Sequence, residues 1–310
     1  MANILVTGGA GFIGSHLATR FVAEGHRVRV LDNLSAGFRE NLDGAGQVEF
    51  LVDDLRNADA CRRACHGIEF VFHQAAVVSV PKSVDDPQTS HDVNLNGTFN
   101  LLQAAVRQKV RRFIYAASSS AYGESKESPK HERIVPEPLS PYAVQKLACE
   151  QYARAFHECF GLETLSLRYF NVFGPRQDPN SPYAAAISAF AMAILRGKPP
   201  TIYGDGEQTR DFTYIDNVVH GNMLAMSVAR TRGECVNVAC GNQISVNQTI
   251  AAINRLLGTN VKAHYVPPRA GDIKHSCADI RLAKELLGYE PQVSFEDGLR
   301  RAIDYYRSLL

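Results

Sequence analysis

The 310-residue chain is 45% hydrophobic and 21% charged with a formal net charge of +1. That composition excludes disorder and offers neither nucleic acid nor a cationic partner an electrostatic handle. No apolar run approaches the roughly 20 residues that cross a bilayer.

The opening MANILVTGG has no basic or apolar leader pattern and goes straight into a strand, so the expected compartment is the cytoplasm. Its successors alternate with helical patterns. NILVTG (3–8), RVRVLD (27–32), VEFLVDD (48–54), EFVFHQAA (69–76), RRFIYAASS (111–119) and ETLSLRYFNV (163–172) read as strands, apolar enough to be buried on both faces. Helical spacing occupies about 12–24, 57–66, 90–108 and 141–160. Repeated β-α-β of this kind predicts an α/β fold with a doubly wound parallel sheet. After residue 172 the alternation loosens. FGPRQDPNSP is rich in turn formers, a helix is expected near 184–196, and two more at 245–258 and 281–288 flank the loop VPPRAGDIKHSCADI. This second region reads as a smaller domain packed against the strand ends of the first.

Seven cysteines, an odd number running from Cys61 to Cys277, read as reduced thiols. Cys61 and Cys65, with His66 and His73 nearby, lack the short ligand pairs of a metal centre, so no metal is expected.

TGGAGFIGSHL follows the first strand and opens the first helix. Gly8, Gly11 and Gly14, with Phe12 and Ile13 between them, permit a tight turn and a close approach of backbone to a pyrophosphate at the helix N-terminus. The acid expected further on is Asp32, ending the second strand in front of Asn33. A carboxylate there accepts from both ribose hydroxyls and repels a 2′-phosphate, which favours NAD over NADP. Asp54 with Leu55 ends the next strand and reads either as an adenine contact or as an acidic turn. Gln74, Ala75 and Ala76 end the fourth, where small residues let a cofactor lie against backbone.

Two Tyr-x3-Lys pairs occur, Tyr122/Lys126 and Tyr142/Lys146. Spacing alone is poor evidence, and context separates them. Tyr122 lies in a polar, breaker-rich stretch. Tyr142 follows Ser140 and Pro141, a favoured N-cap and first helical residue, and precedes apolar residues at helical spacing. Tyr142 and Lys146 are therefore expected one turn apart on one helix face. A nearby ammonium favours the phenolate, and a drop of ~3 pKa units, worth ~4 kcal/mol, would make Tyr142 a proton acceptor near neutrality. Ser118, Ser119 and Ser120 leave the preceding strand where a hydroxyl could hold a substrate oxygen.

These residues resemble the extended short-chain dehydrogenase/reductase superfamily over essentially the whole chain. Within it the similarity is to the UDP-hexose 4-epimerases, most closely the UDP-N-acetylglucosamine 4-epimerases of bacterial surface-polysaccharide pathways. GGAGFIGSHL, HQAA, SVPKSVDDP, NLNGTFNLL, SSSAYG, SPYAVQK, LRYFNVFGPRQDPN, GDGEQTRDFTYI and RAGDIKHSCADI carry it. The resemblance implies a Rossmann domain at 1–175, rejoined by about 212–242, and a mixed α/β UDP-sugar domain at 176–211 and 243–310. It implies tightly held NAD regenerated each cycle, and a homodimer formed through the long helices near 90–108 and 141–160.

Tyr142 would take the 4-hydroxyl proton and Lys146 would bind the nicotinamide ribose. Ser118 best matches the catalytic serine, with its neighbours leaving that choice open by one or two positions and Ser119 also against substrate. Tyr169 would line the nicotinamide pocket. Arg210, Arg269 and Asp272 match diphosphate and ribose contacts, Asn171 the diphosphate-sugar region, and Thr201 to Tyr203 the uracil. Ser276 occupies the position whose size gates the sugar pocket; serine leaves space for an N-acetyl group, and Ser79 and Gln177 match the same subgroup. Related dehydratases carry an acid where this chain has Ser119, Ser120 and Ala121, so nothing here serves water elimination. A UDP-glucose or UDP-glucuronate 4-epimerase (with Lys82 the candidate cation for a uronate), a non-catalytic NAD-binding protein and a simple alcohol dehydrogenase are the rival readings.

Overall fold

A computed structural model describes residues 1–179, 186–268 and 274–310. The first half of the chain runs β1 Asn3–Thr7, α1 Phe12–Ala23, β2 Arg27–Asp32, β3 Val48–Val52, α2 Ala58–Cys65 and β4 Phe70–His73. It continues through α3 Val80–Asp85, α4 Pro87–His91, α5 Gly97–Arg107, β5 Arg112–Ser118, α6 Pro141–Phe160 and β6 Glu163–Tyr169. The second half holds short strands β7 Val172–Phe173, β8 Thr201–Tyr203, β9 Thr209–Arg210 and β10 Thr213–Tyr214, with helix α7 Ala186–Leu195 among them. Then come α8 Ile215–Ser227, β11 Glu234–Val238, β12 Ile244–Ser245, α9 Val246–Leu257, β13 His264–Val266, α10 Arg281–Leu287 and α11 Phe295–Arg307.

Seven strands make one sheet in the order β11-β6-β5-β4-β1-β2-β3, every neighbouring pair parallel. Strand order reverses between β1 and β4, and a crevice outside the strand ends at such a switch point is where this architecture binds ligands. Successive residues of β1 go to opposite faces. Ile4 and Val6 join the cluster with α1, α8 and Leu167, while Leu5 packs with Val71, Phe113, α2 and α5. The near-continuous apolar strands are thus spent on two cores at once.

Three strands stop short of their apolar runs. β3 ends at Val52, β4 at His73 and β6 at Tyr169, because the chain turns there to form the loops of the crevice. The helix expected at 90–108 begins earlier, at Pro87, and contains a π-turn over Asp92–Asn96. Helices α8 and α11 lie where the sequence reading assigns none. β11 pairs with β6 and completes the sheet.

Helix α6 shows why its sequence is decisive. Ser140 Oγ accepts the Ala143 N–H at 3.2 Å, Pro141 stands in the first turn, and Gly161 ends the helix in the left-handed region at φ 70°. The face it buries carries Ala143, Lys146, Cys149, Glu150, Ala153 and Phe156.

Candidate active site

The loop from Gly8 to Gly14 is lined by backbone. Gly8 has φ +65°, and a Cβ on it would meet the Cα and N of Ala75 at 2.7 Å; a Cβ on Gly14 would stand 2.1 Å from the Gly8 carbonyl oxygen. Gly11 caps α1 without a side-chain bond, so the first-turn donors around Phe12 and Ile13 and the positive helix end are left for an anion. Asp32 is buried at the end of β2, accepting the Ala10 N–H at 3.0 Å and the Leu34 N–H at 2.8 Å. Its oxygens keep further lone pairs for hydroxyl donors. Gln74 follows β4 with its buried amide oxygen and nitrogen lacking partners, near the Tyr169 hydroxyl but outside hydrogen-bond geometry. A cradle without room for a Cβ, an uncapped helix end and an orphaned buried amide fit a dinucleotide.

Asp54 and Leu55 follow β3 at the rim of the crevice. Asp54 accepts from Asn33 Nδ2 at 2.8 Å and from the Arg56 backbone and guanidinium, and the bond to that guanidinium is the main cause that lowers its pKa to about 2. Leu55 is buried in the core, and its carbonyl accepts from Cys61 and Asn100. The corner is held as an acidic turn, and the Asp54 carboxylate, like that of Asp32, keeps lone pairs for a further donor.

Tyr142 and Lys146 stand one turn apart on α6. Lys146 Nζ is buried, donates to the Ala116 carbonyl at 2.7 Å, and lies 5.9 Å from the centre of the Tyr142 ring. Burial lowers its pKa to about 8, opposed by Cys149 and Glu150. Burial likewise pushes the Tyr142 phenol up, and the hydrogen bond with the Ser118 side chain draws it back. In the protein alone, desolvation of the phenolate is the larger of the two effects on Tyr142. Ser118 ends β5 and accepts both the N–H and the hydroxyl of Ser120, at 3.2 and 2.9 Å. Of the three serines, Ser118 is the one whose side chain acts on the Tyr142 phenol, with Ser120 behind it and Ser119 half-buried. Tyr169 ends β6 with its hydroxyl bonded to Asn222, and burial raises it to about 12.

The remaining predicted residues gather along 203–213. Ser276 donates its N–H to Thr209 at 3.1 Å, Arg210 Nη1 donates to Thr209 at 2.9 Å, and Asn171 Nδ2 donates to Asp211 at 3.4 Å. Gln177 Nε2 donates to Val172, which pairs with Thr213; its buried Oε1 lacks a partner. Thr201 and Tyr203 are exposed on β8, tied to the same segment by Gln208 Nε2 donating to the Tyr203 carbonyl at 2.8 Å. Ser79 spends its hydroxyl as the cap of α3, accepting the Lys82 N–H at 3.1 Å, while Lys82 itself is exposed. Ala76 is half-buried in the loop after β4. Arg269 and Asp272 lie outside the described residues.

Several residues that shape the site escape a reading by motif. Ser83 Oγ on α3 accepts the Tyr142 N–H at 3.1 Å. Asp211 is fully buried and gathers the N–H groups of Cys240, Gly241 and Ala278, each at 3.0 Å, which draws the loop after β11 and the Ser276 segment onto β9. Burial raises its pKa to about 6. Asn94, in the π-turn, accepts the Val77 N–H at 2.7 Å and donates to Gln145 Oε1 at 2.9 Å. Their signal in the sequence is faint: polar residues set in apolar runs, such as the Asp of TRDFTYI and the Asn of NLNGTF.

The NAD dependent epimerase/dehydratase family matches residues 4–239. A solved UDP-N-acetylglucosamine 4-epimerase from Methanobrevibacter ruminantium M1, in complex with UDP-N-acetylmuramic acid, is 39% identical, covers 100% of this chain and 99% of its own, and has a TM-score of 0.96. A solved UDP-glucose 4-epimerase from Thermotoga maritima with UDP-glucose is 40% identical over 99% of each chain, with a TM-score of 0.95. A UDP-glucuronate 4-epimerase from Thermodesulfobacterium geofontis is 35% identical over 98% of this chain and 96% of its own.

Proposed function

Because the chain belongs to the NAD dependent epimerase/dehydratase family, we propose that it interconverts UDP-N-acetylglucosamine and UDP-N-acetylgalactosamine by inversion at C4. The observation that carries this reading is the meeting of Ser118, Tyr142 and Lys146 at the strand ends beside a dinucleotide cradle, with no carboxylate in Ser119–Ala121 to eliminate water. NAD, when bound, supplies the acceptor and then the donor of the C4 hydride. It would be held by the Gly8–Gly14 turn, Asp32, Gln74 and Lys146.

The protein's own groups do the rest. Ser118 hydrogen-bonds the sugar O4 and Tyr142 takes its proton as the hydride leaves; the resulting 4-keto sugar turns over, and Tyr142 returns the proton when the hydride arrives on the other face. Lys146 offsets part of the desolvation of the phenolate, and oxidised NAD, when bound, would add a second positive charge beside it. Arg210 with Arg269 would hold the diphosphate and keep the nucleotide anchored while the sugar turns.

The choice of an N-acetylated sugar rests on Ser276, half-buried against Thr209, where a small side chain leaves room. A pocket with room for a larger group does not strongly reject a smaller one, so slower UDP-glucose turnover is expected alongside. Proton NMR of the purified protein with UDP-N-acetylglucosamine and no added NAD tests the reading. Appearance of the UDP-N-acetylgalactosamine anomeric signal faster than any UDP-galactose from UDP-glucose is the expected result. Conversion of UDP-glucose or UDP-glucuronate alone would overturn the pocket assignment and leave the C4 chemistry standing.

A further inference from the structure

His73 ends β4 fully buried, and the chemistry above does not use its side chain. Its Nδ1 lies 2.7 Å from Thr7 Oγ1 and its Nε2 lies 2.8 Å from Thr98 Oγ1. Counting protons fixes every direction in this chain. The single hydroxyl proton of Thr98 goes to the Asn94 carbonyl at 2.5 Å, so Thr98 turns only lone pairs toward the ring, and Nε2 must carry the imidazole proton. Nδ1 is then an acceptor and takes the Thr7 hydroxyl proton, while Thr7 Oγ1 accepts the Ala75 N–H at 3.4 Å. Burial drives the ring pKa down to about 3, and the charge of Lys146 acts in the same direction, so the imidazole stays neutral at any ordinary pH.

Both ends of the chain of bonds touch the site. At one end, Ala75 is the backbone that a Cβ on Gly8 would strike. At the other, the Asn94 carbonyl also accepts Cys149 Sγ at 3.2 Å, and the Asn94 side chain grips Val77 and Gln145, the neighbour of Lys146. Asn94 sits in the π-turn of Asp92–Asn96, an irregularity that costs helix regularity and recurs at functional sites. A single ring thus spans from the wall of the cradle to the inner face of α6.

We propose that His73, fixed as the Nε2–H tautomer, is a positioning residue for the reaction: through Thr98 and Asn94 it sets where α6, with Tyr142 and Lys146, stands relative to the glycine cradle. Its kinetic consequence rests on the epimerase reading; its tautomer does not.

Two variants of the full-length protein separate positioning from mere structure. Thr98→Val nearly keeps the shape and removes the hydroxyl, whereas Thr98→Ser keeps the hydroxyl. The valine variant should lose roughly tenfold or more in kcat, with KM for the UDP-sugar within about twofold, and the serine variant should stay close to the unaltered enzyme. Proton–nitrogen NMR should show His73 as Nε2–H, without titration, across the pH range of the assay. A valine variant with full kcat, equal losses in both variants tracking their melting temperatures, or a His73 seen as Nδ1–H or titrating would each overturn the assignment. If the unaltered protein turns over no UDP-sugar at all, the epimerase reading falls, and the NMR tautomer alone decides the role of the ring.

Discussion

Tyr122/Lys126 and Tyr142/Lys146 share a spacing and part company in three dimensions. Tyr122 closes a short 3-10 turn after β5, donates its hydroxyl to Asn237 Oδ1 at 2.8 Å, and lies under the Arg168 guanidinium at 4.5 Å. Burial pushes its phenol far above the ordinary range, and Lys126 points into solvent. Tyr142 is only half-buried, with the Ser118 side chain acting on its phenol at the crevice, and its lysine is buried beside it. A phenol becomes a tool only where a helix holds a cation next to it and the strand ends leave a place for a substrate. Four-residue spacing supplies neither.

Substitution at both pairs can break or sharpen this contrast. The largest effect is expected for Tyr142→Phe, which removes the proton acceptor and should lower kcat by about 10²- to 10⁴-fold without loss of melting temperature. Equal losses from Tyr122→Phe would sink the assignment. Next is Lys146→Met, expected to cost roughly a hundredfold, on the scale of a two-unit change in the phenol's acidity.

The pH profile gives Lys146 a signature of its own. With its pKa lowered to about 8, the ammonium is lost as pH rises through 8, and an alkaline fall in kcat should begin there and vanish in the methionine variant. Stability moves oppositely. Between about 8 and the ordinary 10.5 the unfolded chain binds the proton more tightly than the folded one, so this group's contribution to stability rises with pH in that window. Calorimetry and kinetics on the same samples distinguish the two trends.

A smaller effect, and of a different kind, is expected for Tyr122→Phe. It strands the buried Asn237 oxygen and should cost about 1–3 kcal/mol in chemical denaturation while leaving kcat within a few-fold. Lys126→Met should change stability by less than about 0.5 kcal/mol and turnover not at all.

The same contrast explains what could be read from sequence. The glycine turn, Asp32 and the cap of α6 are local. Each motif determines its own backbone, and the fold delivers them side by side at the switch point. Asp211, Asn94 and His73 act through partners that lie far off along the chain, such as Ala278 for Asp211 and Gln145 for Asn94. No window of residues contains both halves of such a bond. At the Asp54–Leu55 corner the partner is local: Arg56, two residues away, bonds Asp54 through backbone and guanidinium. The sign of the Tyr142 shift was also out of reach, because desolvation is a property of the packed molecule.

Strand β11 has a consequence for how the chain is made. By Tyr169 a ribosome has delivered six of the seven sheet strands, the cradle and the whole of α6. The strand that covers β6 arrives only with Glu234–Val238. Until then a growing chain carries an apolar strand edge, Leu165 and Leu167 among its residues, with its outer hydrogen-bonding groups unpaired. Synthesis that stalls between these two points would leave a half-made sheet prone to pair with its neighbours on the same message. The stretch from β7 to α8 is therefore a time interval as well as a length of chain, and its rate of translation bears on the yield of native protein.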